Sequence, residues 1–283
     1  MKKKSIKIIT LLLAAVMLLT LVGCGTKTPA NNDANTDVDS SVKEKKNLKL
    51  GALSTTEPVL QWVKEGLKEQ GYDIEVIMFD ANQLPATALK DGDLDGILAN
   101  HKPWIETFNK ENNADLAMVE PYYYYSFFGI YSSKINSLEE LPMNAQIAVP
   151  GDPTNLSRSL RILRDAGIIT LGEKTGEFYT ILDIKDNPNN IKIVETDIIH
   201  TARSINDVDA LISPAVYVAE SGVVKPDEYL YEDTENINFP IGIITRSEDV
   251  KSEWAKDIIT LLRTDEYRKK FDDHFQGKYK LFE

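Results

Sequence analysis

Strand-like and helix-like segments alternate along most of this chain, and that alternation limits the fold more than any other feature of the sequence. Short apolar or alternating runs predict strands at 48–53, 74–78, 95–99, 147–150, 191–194 and 210–212. Helical sequence follows most of them, and the chain ends with helices predicted over 254–262 and 265–275. Strands separated by helices of this length favour an α/β fold with mainly parallel sheets.

Residues 1–23 depart from this pattern and predict a segment that is removed before folding. Four lysines within the first seven residues precede an apolar run from Ile8 to Leu21. That run is short for a membrane-spanning helix, which needs about 20 apolar residues. A basic start followed by an apolar stretch of this length is typical of a secretory signal peptide.

The chain's one cysteine stands directly after the apolar run, in the sequence Leu21-Val22-Gly23-Cys24. This is the pattern of a lipobox, so we expect cleavage before Cys24 and lipid on its thiol. The alternative is an ordinary signal peptide with an incidental cysteine. A single cysteine excludes an intramolecular disulfide. Stable anchoring needs more than one lipid chain, at about 0.8 kcal/mol per buried CH₂. The prediction is a lipoprotein anchored at the extracytoplasmic face of the cell membrane.

The predicted mature chain is acidic and begins with a polar tether. Residues 24–46 are rich in Asn, Asp, Thr, Ser and Lys, which predicts a disordered tether, and folded sequence begins near Asn47. The net charge of −12 becomes −16 without residues 1–23, which hold four basic and no acidic residues. This balance argues against a nucleic-acid partner, whose phosphates need clustered Lys and Arg.

Motifs for metals, cofactors or catalysis are weak in this sequence. Residues 91–96, Asp-Gly-Asp-Leu-Asp-Gly, imitate the start of a calcium loop, but its twelfth position is Lys102 instead of a chelating Glu. The segment is better interpreted as a turn that enters a strand. His101, His200 and His274 are too widely spaced for a metal-ligand motif. With no nucleophile elbow, P-loop or dinucleotide fingerprint either, we expect no metal, no cofactor and no enzymatic activity.

Residues 152–160 suggest a place for an anion. A predicted strand ends at Pro150, and Asp152 or Thr154 can cap a helix that has Pro153 in its first turn. Free N–H groups at such a helix start favour a negative group. Arg158, about one turn later, can present its planar fork to a carboxylate. The alternative interpretation is a well-capped helix with an exposed arginine.

An aromatic run at residues 121–132 also has two interpretations. The sequence Pro-Tyr-Tyr-Tyr-Tyr-Ser-Phe-Phe-Gly-Ile-Tyr-Ser predicts β structure. It fits a core strand, or a segment that crosses between two lobes and shows its rings to a cleft.

Several of these segments together resemble the NlpA/MetQ lipoproteins, the substrate-binding subunits of methionine-type ABC importers. Their order and spacing agree with that family from about residue 48 to the end. The matching segments are Lys90–Asp95, His101–Trp104, Phe108–Glu111, Gly129–Ser132, Ser137–Pro142, Ala148–Leu160, Asp207–Ala210 and Tyr217.

The resemblance implies a two-lobed α/β fold of the periplasmic-binding-protein type 2, with a ligand cleft between lobes that close by a hinge motion. Lobe 1 is then expected at 47–131 plus 237–283, and lobe 2 at 132–236. The chain should cross near Tyr131 and return near Phe239. The implied partners are the ABC permease and ATPase subunits, the membrane through the lipid anchor, and a small-molecule ligand.

The resemblance also implies the ligand-binding residues. Arg158 is expected to take a ligand carboxylate and His101 to line the pocket, with Asn155, Asn82 and Tyr217 completing the set. The ligand is expected to be methionine or a related amino acid or small carboxylate. An enzyme on the same fold, or a surface interaction lipoprotein without a transport role, are the alternatives.

Three places in the sequence depart from the methionine binders. The family commonly has Phe-Phe-Gln-His where this chain has Leu98-Ala99-Asn100-His101, and Tyr where Asn82 falls. Its Asn-Gly-Asn-Tyr corresponds here to Pro214-Ala215-Val216-Tyr217. The predicted carboxylate contact is therefore kept, while the walls and the partners for a ligand ammonium are changed. A modified amino acid or a short peptide consequently remains open as the ligand.

Overall fold

A computed structural model describes residues 46–283 of the chain. The predicted signal peptide, the lipid attachment at Cys24 and nearly all of the predicted tether lie outside the described residues. Across 46–283, none of the helices has the length and apolar character needed to cross a bilayer.

Fifteen β-strands and eight α-helices are formed within residues 46–283. The strands are β1 (Asn47–Ala52), β2 (Asp73–Met78), β3 (Gly96–Leu98), β4 (Leu116–Met118), β5 (Tyr124–Ser126), β6 (Phe128–Tyr131), β7 (Gln146–Pro150), β8 (Thr170–Leu171), β9 (Ile184–Asp186), β10 (Lys192–Thr196), β11 (Ala210–Pro214), β12 (Tyr231–Glu232), β13 (Pro240–Ile241), β14 (Ile244–Arg246) and β15 (Tyr279–Leu281). The helices are α1 (Glu57–Leu67), α2 (Leu84–Lys90), α3 (Lys102–Asn112), α4 (Pro153–Asp165), α5 (Ile198–Thr201), α6 (Ala215–Ser221), α7 (Glu253–Leu262) and α8 (Asp265–Phe275).

The first of two large sheets has the strand order β2-β1-β3-β14-β4. Strand β1 pairs in parallel with β2 and β3, while β14 pairs antiparallel with β3 and β4. All three residues of β3 are buried, as expected for a strand covered on both faces. Helix α1 starts with Pro58 in its first turn and turns its apolar stripe, including Leu60 and Val63, into the core.

The second large sheet has the order β10-β7-β11-β6-β12. Strand β7 pairs in parallel with β10 and β11, and β6 pairs antiparallel with β11 and β12. The expectation of mainly parallel sheets holds for β1–β3 and for β7, β10 and β11, and it is wrong for the remaining strands. In the two large sheets the reversed strands are β6 and β14, which follow β5 and β13 directly without a crossover helix and pair antiparallel with their neighbours.

The aromatic run contributes to two different sheets. Strand β5 lies in a small sheet of order β13-β5-β15, and β6 lies in the second large sheet, so the chain changes sheets at Phe127. Tyr124, Phe128 and Tyr131 are buried, so both interpretations of the run hold in part. Strand β6, which the sequence prediction assigns to lobe 1, therefore pairs with strands of the predicted lobe 2. The exact lobe limits stay a prediction.

Candidate functional site

A small cavity of about 50 Å³ lies between the two large sheets, and all five predicted ligand-binding residues line it. Asn82 and His101 follow strands of the first sheet, whereas Asn155, Arg158 and Tyr217 follow strands of the second. Each of these strands, β2, β3, β7 and β11, meets the cavity with its carboxyl end. This is where ligands bind in open α/β sheets. The space has room for one or two water molecules, so a larger ligand requires the sheets to move apart.

Arg158 is almost completely enclosed, with 1% of its side chain exposed. Its Nε donates to Oδ2 of Asp233 at 2.6 Å, and its Nη2 donates to Oδ1 of Asn236 at 2.6 Å. The guanidinium lies between the rings of Phe128 and Phe239, with Cζ 4.2 Å and 3.8 Å from their centroids. The interpretation of Arg158 as an exposed surface residue is therefore wrong.

The charge of Arg158 is balanced inside the protein. Burial is the main cause that lowers its pKa to about 10, and the Asp233 carboxylate counteracts this shift. The guanidinium is thus protonated at neutral pH and forms a buried ion pair. No hydrogen bond within residues 46–283 uses its Nη1, which leaves a donor for another acceptor.

His101 connects the two halves of the site. Its Nδ1 accepts from the backbone N–H of Trp104 at 3.1 Å, which caps α3 and leaves the proton on Nε2. Nε2 then donates to Oδ1 of Asn155, 3.0 Å away at the start of α4. The Asn155 amide nitrogen donates to both carboxylate oxygens of Asp152. Burial, followed by the charge of Arg158, lowers the pKa of His101 to about 4, so its ring is neutral.

Asn82 and Tyr217 complete the predicted set. The backbone carbonyl and the Oδ1 of Asn82 both accept from the amide nitrogen of Asn100, at 3.1 Å and 3.0 Å. Tyr217 is buried, and this burial raises the pKa of its hydroxyl, while a hydrogen bond with Thr55 acts in the opposite direction. Asn100 itself lines the cavity, although the sequence analysis does not include it among the ligand-binding residues.

The counter-ion of Arg158 is also absent from the residues that the sequence predicts. Asp233 and Asn236 lie 75 and 78 residues after Arg158, in a segment without a recognisable motif. The signal that could have found them is indirect, because a buried arginine requires an acidic partner. The aromatic residues around them, such as Phe239, are consistent with a buried segment.

The chemistry of the cavity suits binding better than catalysis. Among the described residues that line it, none is an aspartate or glutamate, and Arg158 is the charged one. Both ring nitrogens of His101 are occupied by hydrogen bonds and its pKa lies well below neutrality. The walls are aromatic or aliphatic, with Trp104, Phe239 and Ile241 among them. This is the usual composition of a small-molecule site: apolar walls with a few placed polar groups.

Two α/β sheets that face each other across a cleft with apolar walls and a few polar groups, both with carboxyl strand ends at the cleft, define a two-lobed substrate-binding protein. The sequence profile of the NlpA lipoproteins matches residues 48–281. The chain therefore belongs to the NlpA lipoprotein family, as the resemblance had implied.

Relatives of known sequence and structure agree with this assignment. The D-methionine-binding lipoprotein MetQ of Yersinia pestis is 31% identical over 281 residues, covering 98% of this chain and 97% of that protein. A nutrient-binding protein from Burkholderia cenocepacia, solved with methionine bound, superposes with a TM-score of 0.77 at 28% identity, covering 83% of this chain and 99% of the other. The substrate-binding protein of a Streptococcus pneumoniae methionine transporter gives 0.78 at 28% identity, covering 84% and 96%. The two-lobed α/β fold is thereby confirmed.

Proposed function

We propose that this chain is the substrate-binding lipoprotein of an ABC importer and that it binds methionine or a closely related amino acid. The observation that carries the proposal is the small cavity between the sheets, which is lined by Arg158 and the other four predicted residues. The related proteins from Burkholderia cenocepacia and Streptococcus pneumoniae are a methionine-bound protein and a methionine-transporter subunit. Their similarity over nearly their whole length supports the same role here.

In this proposal the ligand carboxylate accepts from Nη1 of Arg158, the donor without a hydrogen bond inside residues 46–283. A charge-assisted hydrogen bond of this kind contributes about 1.5–3 kcal/mol. The ligand side chain packs against Trp104, Phe239 and Ile241. Because residues of both sheets contact the ligand, binding favours the closed arrangement, and the permease and ATPase subunits respond to that form.

The test is calorimetric titration of the soluble domain, residues 46–283, after unfolding and refolding to remove any bound ligand. We expect L- or D-methionine, or a related amino acid, to bind with one site per chain. In parallel thermal unfolding, a ligand at 100 times its dissociation constant should add about 2.7 kcal/mol of stability. If no amino acid and no small carboxylate binds in either assay, the proposed function is wrong.

The anchor needs a separate experiment, since Cys24 lies outside the described residues. We propose that lipid on Cys24 holds the protein at the extracytoplasmic face of the membrane. In cells, the full chain should incorporate labelled palmitate and sediment with membranes, and Cys24→Ser should do neither. Added protease should digest the parent protein on intact cells, or on spheroplasts where an outer membrane is present. Protection from protease would place the domain on the other face.

A further inference from the structure

We propose that Asn100 supplies the acceptor for the amino group of the ligand and so determines that the site takes an amine-bearing solute. The inference rests on the proposed function, because it assigns a second polar contact within the same cavity. Asn100 lines that cavity and has 4% of its side chain exposed.

The orientation of the Asn100 amide is fixed by its neighbours. Its Nδ2 donates to two oxygens of Asn82, the backbone carbonyl and Oδ1. Rotating the amide by half a turn would bring Oδ1 against those two acceptors, which cannot donate to it. The carbonyl oxygen of Asn100 is therefore directed away from Asn82.

That carbonyl oxygen is buried and has no hydrogen-bond partner within the described part of the chain. Buried polar atoms are nearly always hydrogen-bonded, and an unpaired one opposes folding. Because Asn100 lines the ligand cavity, its unpaired oxygen is explained if an N–H group of the ligand bonds to it when the lobes hold the ligand.

The comparable acceptors around the cavity are already used. Oδ1 of Asn82 accepts from Asn100, Oδ1 of Asn155 accepts from His101, and Nδ1 of His101 accepts from Trp104. Among the described lining residues with an amide or imidazole side chain, Asn100 is thus the one whose acceptor has no hydrogen bond. Arg158, the donor expected for the carboxylate, lines the same cavity, so one solute can meet both groups.

The electrostatics favour an amide for this contact. With Arg158 paired to Asp233, a carboxylate at the amine position would give the site an excess negative charge in a low-dielectric space. A neutral carbonyl oxygen stabilises an ammonium without that excess, so a zwitterionic amino acid enters a site of nearly balanced charge.

The experiment is a chemical double-mutant cycle. Titrations with methionine and with its analogue lacking the amino group, 4-(methylthio)butanoate, are run on the parent domain and on Asn100→Leu. We expect the parent to bind methionine at least about tenfold more tightly than the analogue. Asn100→Leu should lose at least about tenfold in methionine affinity and change little for the analogue, since the contact with a charged donor is removed.

Asn109→Leu serves as the matched control. Asn109 lies on α3, its Nδ2 donates to the carbonyl of Leu116 and its Oδ1 accepts from the Leu116 N–H, and it is not among the cavity-lining residues. Its replacement should lower the melting temperature and leave the ratio of the two affinities unchanged. If Asn100→Leu does not fold, Asn100→Ala replaces it in the cycle.

Three results of these titrations would contradict the role of Asn100 or the proposed function. Equal loss of affinity for both ligands in the Asn100 variants would show a structural role alone and overturn the inference. Equal binding of both ligands by the parent domain would overturn it as well, while the proposed transport function would stand. A parent domain that binds neither compound nor any other amino acid contradicts the proposed function itself, and the inference falls with it.

Discussion

Arg158, which we propose as the contact for a ligand carboxylate, is also part of the protein's own ion-pair network. The guanidinium donates to Asp233 and Asn236 while it lies between two aromatic rings. Removing one partner of a buried ion pair is far more costly than the pair's net contribution, because the other charge is left without compensation. A simple Arg158→Ala variant would therefore confuse lost binding with lost folding, and Asp233 is the more informative position.

We expect Asp233→Asn to lower the free energy of unfolding by about 3–5 kcal/mol, since Arg158 then lacks its buried counter-ion. The same substitution should raise the affinity for a carboxylate ligand, because the ligand then provides the balancing charge. Denaturant unfolding and calorimetry of the one variant measure both quantities.

Glu235→Gln is the control for Asp233→Asn. Glu235 pairs with Arg161 nearby, but its side chain is 45% exposed. Loss of such a pair should change stability by about 1 kcal/mol or less and leave affinity unchanged. A fall in ligand affinity for Asp233→Asn, at unchanged stability, would contradict a role of Asp233 as the counter-ion of Arg158.

His101 should make stability depend on pH in a defined window. Burial and Arg158 lower its pKa from 6.5 to about 4, while Asn155 and Asp152 act in the opposite direction. Between pH 4 and pH 6.5, therefore, His101 carries a proton in the unfolded chain but not in the folded chain. Stability from this group is fully present above pH 6.5, declines as the pH falls towards 4, and changes no further below that.

Denaturant unfolding at several pH values tests this dependence. The parent domain should lose stability between pH 6.5 and 5, whereas His101→Asn, which keeps an oxygen to cap α3, should lose much less. His200→Asn replaces an exposed histidine and should behave as the parent does. If the free energy of unfolding changed equally with pH in all three proteins, His101 would not be buried in its neutral form.

Single residues also show what could be predicted from the sequence. The five lining residues came from the capped helix after β7 and from the family resemblance, and the structure brings all of them to one cavity. Asp233 could not be found in that way, because a contact across 75 residues has no local pattern. Asn100 was noted as a departure from the family, but its unpaired oxygen is visible in three dimensions alone.

At the level of elements, the start of α4 does two things at once. The Asp152 carboxylate accepts from the backbone N–H of Asn155 at 3.1 Å and from the hydroxyl of Thr154 at 2.8 Å, so it caps the helix. It also accepts from the Asn155 side chain and thereby orients the oxygen that meets His101. Capping and the contact between the two halves of the site are consequently coupled.

Asp152→Ala should therefore lower the free energy of unfolding by about 1 kcal/mol and also weaken ligand binding. Ser252→Ala removes the cap of α7, where the Ser252 hydroxyl accepts from Ala255 at 3.4 Å, away from the cavity-lining residues. It should lower stability to a similar extent without changing affinity. Unfolding and titration of both variants separate the two effects, and unchanged affinity in Asp152→Ala would exclude the coupling.

The C-terminal helices were predicted more accurately from the sequence than the strands of the aromatic run. Helices α7 and α8 have a strong apolar period and lie where the sequence places them, at Glu253–Leu262 and Asp265–Phe275. The division of the aromatic run into β5 and β6 was not predictable, because β-forming aromatic residues stand on both sides of the change of sheet at Phe127 and the single Ser126 before it is not a sufficient turn signal. Sheet membership is decided by distant partners, which a local pattern does not contain.

Across the whole molecule, the two connections between the sheets meet at Arg158. Phe128 starts β6 directly after the first connection, Phe239 lies on the second, and each ring contacts the guanidinium. Asn236, on the second connection, also accepts from the backbone N–H of Phe128. Arg158, the proposed ligand contact, therefore touches both segments through which the chain passes between the sheets.

The closed cleft predicts that opening precedes ligand entry, since about 50 Å³ admits little more than water. One ion pair joins the two sides of the cleft: Lys110 on α3 pairs with Glu177, which follows the second-sheet helix α4 in the chain. Both side chains are more than half exposed. Lys110→Ala should favour the open form by about 0.2–1 kcal/mol and so accelerate methionine association up to about fivefold in stopped-flow measurements. Lys269→Ala breaks a comparable exposed pair with Asp273 inside α8 and should leave the rate unchanged. An association rate that is the same in both variants and the parent would mean that contacts across the cleft do not limit entry.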